Sequence, residues 1–559
     1  MGTSCQDACC QSLWEHEVVS IQAAPAYQNE LEAFKDETQA PDEPVKPVAG
    51  EASPVSENVL VSFGDEAEVC HWESPAEASI AIGAAQTGSG SVQPLKLEVE
   101  DTKLLRASLL SSVLSRVGTE LRANSLSQTF TEDQATSLYR KSTEVQKIDY
   151  FISHCWQDSR VAKVFALYIH SNLWAAVILS ILVALVSSLL TYWQVLPVVK
   201  ADGMDIFHFP WAFFLGCASF FLALCTWHQI RDLSGFRRHY FLDKFCVHQK
   251  DADLKRRGVR AFAGFVAASQ RLLLLWSPRY FTRLWCTLEM AALVTSKKEE
   301  GSLPVDIIPL TLAHVSVSGW MVAFIVVGTT QINRVIGNPL PDAAIIFISC
   351  WTSTYFLTAV LRQYSRDRHA LEKQLQAFSI HEAECSLNRD RECVENSVLQ
   401  WFEDVDSCNQ HVRQAVRQQV LSALGPASHY STRLLVPMVL FFAFNEADYI
   451  VGGYYMDNAL RKIAAFFGMS AIILSLIPVV YHLPSCFKKE HGRLVDMVIN
   501  LLMSGSVTTF CAGTFLIRSI VVNPDMPVWV VLIPAFAIAA AMWMQRASFD
   551  CARRSRQSL

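Results

Sequence analysis

The segment Ser277-Pro278-Arg279-Tyr280, followed closely by Trp285-Cys286 and then Glu289, brings a hydroxyl, aromatic rings and a carboxylate together in one short stretch. The faces of Tyr280 and Trp285 suit stacking on a flat heterocycle. A carboxylate at Glu289 suits orienting sugar hydroxyls and stabilising positive charge that develops as a bond breaks. Pro278 fixes φ and turns the chain out of the preceding apolar run. Further upstream, Ser153 and Trp156 offer a second hydroxyl and a second indole at the end of Ile148–Ser153. Each of these residues has a plainer reading: Trp285 and Cys286 also suit a packed core, and Glu289 a solvated helix surface.

Gathering such a cluster requires strands that end beside one another. Leu272–Trp276 is an unbroken apolar run, as in a strand buried on both faces, and Leu284–Val294 has helical spacing. Ile148–Ser153 predicts another strand and Asp158–His170 a helix. Tyr240–Val247 predicts a strand, Val259–Ser269 a helix, and VDIIPLTL a further strand. This alternation predicts a parallel sheet with helices on both faces, whose cleft lies at the carboxyl ends of the strands. The two parts of the sheet, residues 147–170 and 238–312, are separated by sequence of another kind.

That intervening sequence is suited to a membrane. Leu173–Leu196 carries no charge and is long enough for a hydrocarbon core that needs ~20 apolar residues. Trp211–Trp227 completes a first hairpin (173–227). Val315–Ile332 with Ala343–Leu361 (315–361), Leu434–Tyr454 with Ile463–Tyr481 (434–481) and Met497–Ile517 with Val528–Met544 (497–544) follow, so about eight spans are expected. Composition agrees: of 559 residues, 51% are hydrophobic and 18% charged. Arg231, Arg237, Arg238, Lys244, Arg362, Arg366, Arg368, Lys373, Lys488, Lys489 and Arg493 fall on one set of connections, which places both termini in the cytoplasm. A net charge of −6 gives no bulk attraction to nucleic acid. The cysteines are scattered, several inside apolar runs, and read as reduced thiols.

The stretches DYFISH, FLDKF, the helix ending AAS and the run LLLLWSPRYFTRLWCTLEM together resemble a Toll/interleukin-receptor (TIR) domain. DKFCVHQ also resembles the related heterokaryon-incompatibility family. The resemblance implies a flavodoxin-like parallel sheet in the cytosol, interrupted here by a membrane hairpin. It places Glu289 where some TIR domains carry the glutamate that cleaves NAD. Ser153, Trp156, Ser277, Tyr280 and Trp285 would then line the nucleotide cleft. Lys255, Arg256, Arg257 and Gly258 fall on the expected interaction loop, whose charges also suit a phosphate, an acidic partner or the inner leaflet. Many TIR domains keep the glutamate and only assemble. The expected function is therefore a multi-pass membrane signalling scaffold that associates with other TIR-like domains. NAD cleavage, with NAD as substrate rather than resident cofactor, is the alternative. A channel or transporter using Glu446, Asp448 and Arg518 is a third.

Around these parts, residues 1–135, rich in Glu, Pro and Ser, are expected to form a disordered acidic tail. Within it, residues 102–123 have leucines at the spacing of one amphipathic helix. The start MGTSC resembles an acylation signal, although Gln6 stands where that signal has Ser or Thr. Residues 363–430 are expected to be a cytosolic helical region and 545–559 a basic cytosolic tail. His381, Cys385, Cys393, Cys408 and His411 lack the spacing of a zinc site, so no metal is expected. Asn445, Glu446 and Asp448 suggest that the fifth span ends near Phe444, re-enters or has a polar mouth.

Overall fold

The computed structural model describes residues 94–122, 130–199, 207–297, 303–336, 342–385, 388–424, 432–451 and 491–522. The expected spans Ile463–Tyr481 and Val528–Met544, the acidic residues 1–93 with their acylation signal, and the tail 545–559 lie outside the described residues.

At the centre is a mixed sheet built from β1 (Arg106–Leu109), β2 (Ser142–Glu144), β3 (Ile148–His154), β4 (His239–Phe241), β5 (Ser269–Trp276) and β6 (Val305–Pro309). The order across the sheet is β2-β1-β4-β3-β5-β6. The last four in this order run parallel, and β1 pairs antiparallel with both neighbours. The two halves of the sequence thus meet in one sheet. β3 pairs with β5 from Ile148 opposite Ser269 to His154 opposite Leu275. Phe151 stacks on Phe241 with ring centroids 4.7 Å apart, a cross-strand pair of the kind that stabilises sheets. The unbroken apolar pattern of Leu272–Leu275 is explained by burial on both faces.

The helices are α1 (Glu132–Tyr139), α2 (Arg160–Tyr192), α3 (Trp211–Leu233), α4 (Ala252–Arg260), α5 (Phe262–Ala268), α6 (Leu284–Ser296), α7 (Leu310–Ile336), α8 (Asp342–Gln376), α9 (Asn388–Trp401), α10 (Val405–His411), α11 (Arg417–Leu424), α12 (Thr432–Val451) and α13 (Arg493–Val522). Phe165 of α2 meets His314 of α7, while Phe262 of α5 meets Trp285 of α6. Lys163 lies beside Trp156, just past the carboxyl end of β3, and His170 packs on Tyr150 near its amino end. Helix α2 therefore runs back along the sheet, and its apolar remainder projects past the amino ends of the strands. α3 returns from there to β4 through residues 234–238. β6 passes directly into α7. α2, α3 and α7 are each long and apolar enough to cross a membrane. Ile178, Leu182, Leu185 and Leu189 form an exposed apolar stripe along α2, which suits lipid rather than water.

Several expectations are corrected. The sheet is mixed, because the presumed tail contributes to it: where one helix was expected over residues 102–123, the described part, 102–122, forms a turn, strand β1 and further short helical turns. β4 is the last strand of the parallel part, β1 pairs its outer side, and the hydroxyl of Ser108 donates to the Tyr240 carbonyl at 3.2 Å. Tertiary pairing has overridden helical spacing. The strand expected over Tyr240–Val247 ends at Phe241, and Asp243–Cys246 is one helical turn. The expected helix Val259–Ser269 is split between α4 and α5, and Ser269 opens β5. The helices expected over Asp158–His170 and Leu173–Leu196 are one continuous helix, α2.

Helix α12 continues through Asn445–Asp448, so no break follows Phe444. Asp448 instead accepts the backbone N–H groups of Ala212 at 2.9 Å and Phe213 at 2.8 Å, which otherwise lack intrahelical partners at the start of α3. The same two helices touch closely at Gly216, where an added Cβ would lie 2.8 Å from the Phe444 ring.

Candidate functional site

In parallel sheets of this order, ligand sites are expected at the carboxyl ends of strands such as β3 and β5. Ser153 is the penultimate residue of β3, and Tyr280 and Glu289 come from the loop and helix after β5. The structure joins all three: the Ser153 hydroxyl donates to Oε2 of Glu289 and is paired with the Tyr280 hydroxyl. Glu289 is only 8% exposed, and Ser153 and Tyr280 are fully buried. Burial raises the Glu289 carboxyl to about 8, with the Ser153 hydrogen bond opposing and nearby Asp243 adding to the shift. Glu289 is thus mainly neutral near pH 7.

The indole N–H of Trp156 donates to Oδ2 of Asp243 at 3.1 Å. Asp243 opens the turn after β4, and burial raises its carboxyl. Ser277 accepts the Arg279 N–H at 3.2 Å and holds the turn. Trp285 packs edge-on against Phe262 at 5.7 Å. The Trp285 indole nitrogen and Nε2 of His154 are buried without a hydrogen-bond partner among the described residues. The loop is clamped from outside the sheet: Gln374 at the end of α8 donates to the Pro278 carbonyl. The Leu284 N–H donates to the Glu384 carbonyl at 3.1 Å.

Ser153, Tyr280 and Glu289 therefore meet; Trp156 is bonded instead to Asp243, Ser277 holds the loop, and Trp285 packs against Phe262. The basic segment is placed differently. Lys255, Arg256, Arg257 and Gly258 lie within helix α4 rather than on a loop. Arg256 pairs with Asp253, Arg257 with Asp101, and Lys255 is largely buried. Asp251 accepts the N–H groups of Asp253 and Leu254, and this N-cap explains why a helix begins here. In the helical region, His381 pairs with Glu395 at 3.1 Å.

Around Trp156 lie charged groups that no motif in the sequence marks. Trp156 stands between two ammonium groups, with Nζ of Lys163 and of Lys244 each 5.5 Å from its ring centroid. Lys163 donates to the Trp156 carbonyl at 3.0 Å and to that of Leu121 at 3.3 Å. Lys244 donates to the Glu120 carbonyl at 3.2 Å and lies 3.6 Å from its carboxylate. Lys141 reaches the same carboxylate at 2.8 Å. Burial pushes the Glu120 carboxyl up, but Lys141 and Lys244 outweigh it and hold the group below its usual range. Just before this contact, Arg116, Val117 and Gly118 have φ of 51°, 56° and 64°. Left-handed backbone costs roughly 1–2 kcal/mol per non-glycine residue. Glu120 belongs to the presumed tail and Lys244 to the membrane-orienting cations, so nothing in sequence pattern pairs them.

In comparisons with protein-family models, with curated proteins and with solved structures, the chain matches none.

Proposed function

We propose that the chain is a multi-pass membrane protein whose cytosolic α/β unit is a TIR-like signalling module that acts by associating with other TIR-like units. The order of its parallel strands is that of flavodoxin-like sheets, which is what the Ser-Pro-x-Tyr and Trp-Cys resemblance implies. The observation that carries the signalling reading is the burial of Glu289: bonded to Ser153, which also pairs with Tyr280, it ties β3 to α6 and to the loop after β5. Two helices support it further. α2 runs unbroken from the loop after β3 into a membrane-grade segment. α8 links the apolar stretch Ala343–Leu361 to the Pro278 loop.

The test uses the full chain in detergent and then clustered on vesicles, with chemical cross-linking and an assay for nicotinamide after incubation with NAD. Association without nicotinamide release is expected. Nicotinamide release that disappears in Glu289→Ala would establish the alternative, NAD cleavage. One observation favours that second reading: a buried acid with a strongly raised pKa at the carboxyl edge of an α/β sheet is the usual setting of a catalytic group.

A further inference from the structure

Glu120 and the backbone of Thr119–Leu121 cover three lysines, Lys141, Lys163 and Lys244. Lys141 and Lys244 both reach the Glu120 carboxylate, while Lys163 and Lys244 are capped by the carbonyls of Leu121 and Glu120. Lys163 and Lys244 are buried, and a buried ammonium group is costly unless it is paired. Asp243 and Asp158 also face the cluster as counter-charges to Lys163 and Lys244; Asp243 accepts from Trp156, and Oδ2 of Asp158 is buried without a hydrogen-bond partner among the described residues. The covering segment is reached through three consecutive left-handed residues, two of them not glycine. That backbone persists only while its surroundings enforce it.

We propose that Lys141, Lys163 and Lys244 form a binding site for a soluble phosphate-bearing ligand, a site that this chain's own segment Thr119–Leu121 fills with Glu120 as internal competitor. Several lysine ammonium groups around one anion suit phosphate as well as carboxylate, and a phosphate group brings more charge and more acceptor oxygens. The ligand is soluble rather than a lipid headgroup because of where the lysines sit. Lys163 lies just past the carboxyl end of β3 and Lys244 just past that of β4, whereas the apolar part of α2 leaves past the amino ends of the strands. Entry of the ligand requires the segment to swing out, which relieves the left-handed turn. The site does not depend on the association reading.

Isothermal titration of the full-length protein in detergent with inorganic pyrophosphate tests this. Glu120→Gln removes the competitor's charge, so its binding is expected to be at least about tenfold tighter than wild type, because the competent state is populated more often. Adding Lys141→Gln, at a partly exposed position, is expected to remove that gain, as is adding Lys244→Gln. Melting curves without ligand identify which variants are folded, and the Lys141 arm stands if the buried Lys244 variant is not. Equal binding by Glu120→Gln and wild type would overturn the proposal. A gain that persists in the folded double variant would also overturn it. So would binding to phosphoinositide vesicles without binding to pyrophosphate.

Discussion

Glu289 is held as an acid rather than a carboxylate, and the sign of its effect on stability follows from that. Its pKa is raised from 4.5 to about 8 in the folded chain. Below about pH 4.5 the group is protonated folded or unfolded, and its contribution is fully present. As pH rises, the unfolded chain releases the proton first, so stability falls until the folded group also ionises near pH 8. Glu289→Gln removes this slope. The melting temperature of the variant should match wild type near pH 4.5 and exceed it near pH 8, by a stability difference of roughly 2–4 kcal/mol. A difference that does not vary with pH would show that the carboxyl is not held protonated. Ser153→Ala leaves Glu289 and Tyr280 without their shared partner and should cost about 1–3 kcal/mol in denaturant melts. Sequence identified the members of this trio but not their burial. Trp285-Cys286 and Glu289 could equally have marked an open cleft, and only the pairing of β3 with β5 closes it.

Asp448 shows how an element constrains the reading of a residue. On apolar sequence alone, an acid in a span suggests an ion site, but here it caps α3. Asp448→Ala should therefore lower thermal stability by ~1 kcal/mol, with Asp448→Asn milder because it keeps an acceptor. A second element-level test concerns residues 94–101, which were read as tail. Leu95 is buried and its N–H donates to Ser397 at 2.8 Å. A Cβ on Gly264 would lie 2.9 Å from the Glu98 carbonyl carbon. Gly264→Val should push this strap off α5 and make residues 94–101 the first site of limited proteolysis. Strands β3 and β5 and helix α6 were legible because their apolar runs are long and cleanly bounded, whereas the strand expected over VDIIPLTL ends at Pro309 and Leu310–Leu312 already belong to α7. β1, β2 and the strap were not, since short polar strands acquire their conformation from the edge they complete.

For the whole molecule, the continuity of α2 matters most. Ser171→Pro interrupts the helix between the sheet and the apolar segment and should cost about 3 kcal/mol. The variant is expected to remain in the membrane fraction after alkaline extraction, while its sheet becomes sensitive to protease. If sheet and membrane segments melt independently in wild type, that expectation fails. The joining of residues 147–170 with 238–312 was legible from the alternation of strand and helix on either side of the hairpin. The contribution of α8 to the Pro278 loop was not, because a side chain so distant in sequence leaves no local signal there.

The central strand also sets a timetable for synthesis. β3 emerges from the ribosome before α2 and α3, yet both of its neighbours, β4 and β5, follow them. A nascent chain must therefore keep β3 without either of these neighbours until the residues that follow α3 have been made. A chain halted within α2 or α3 leaves both edges of that strand bare.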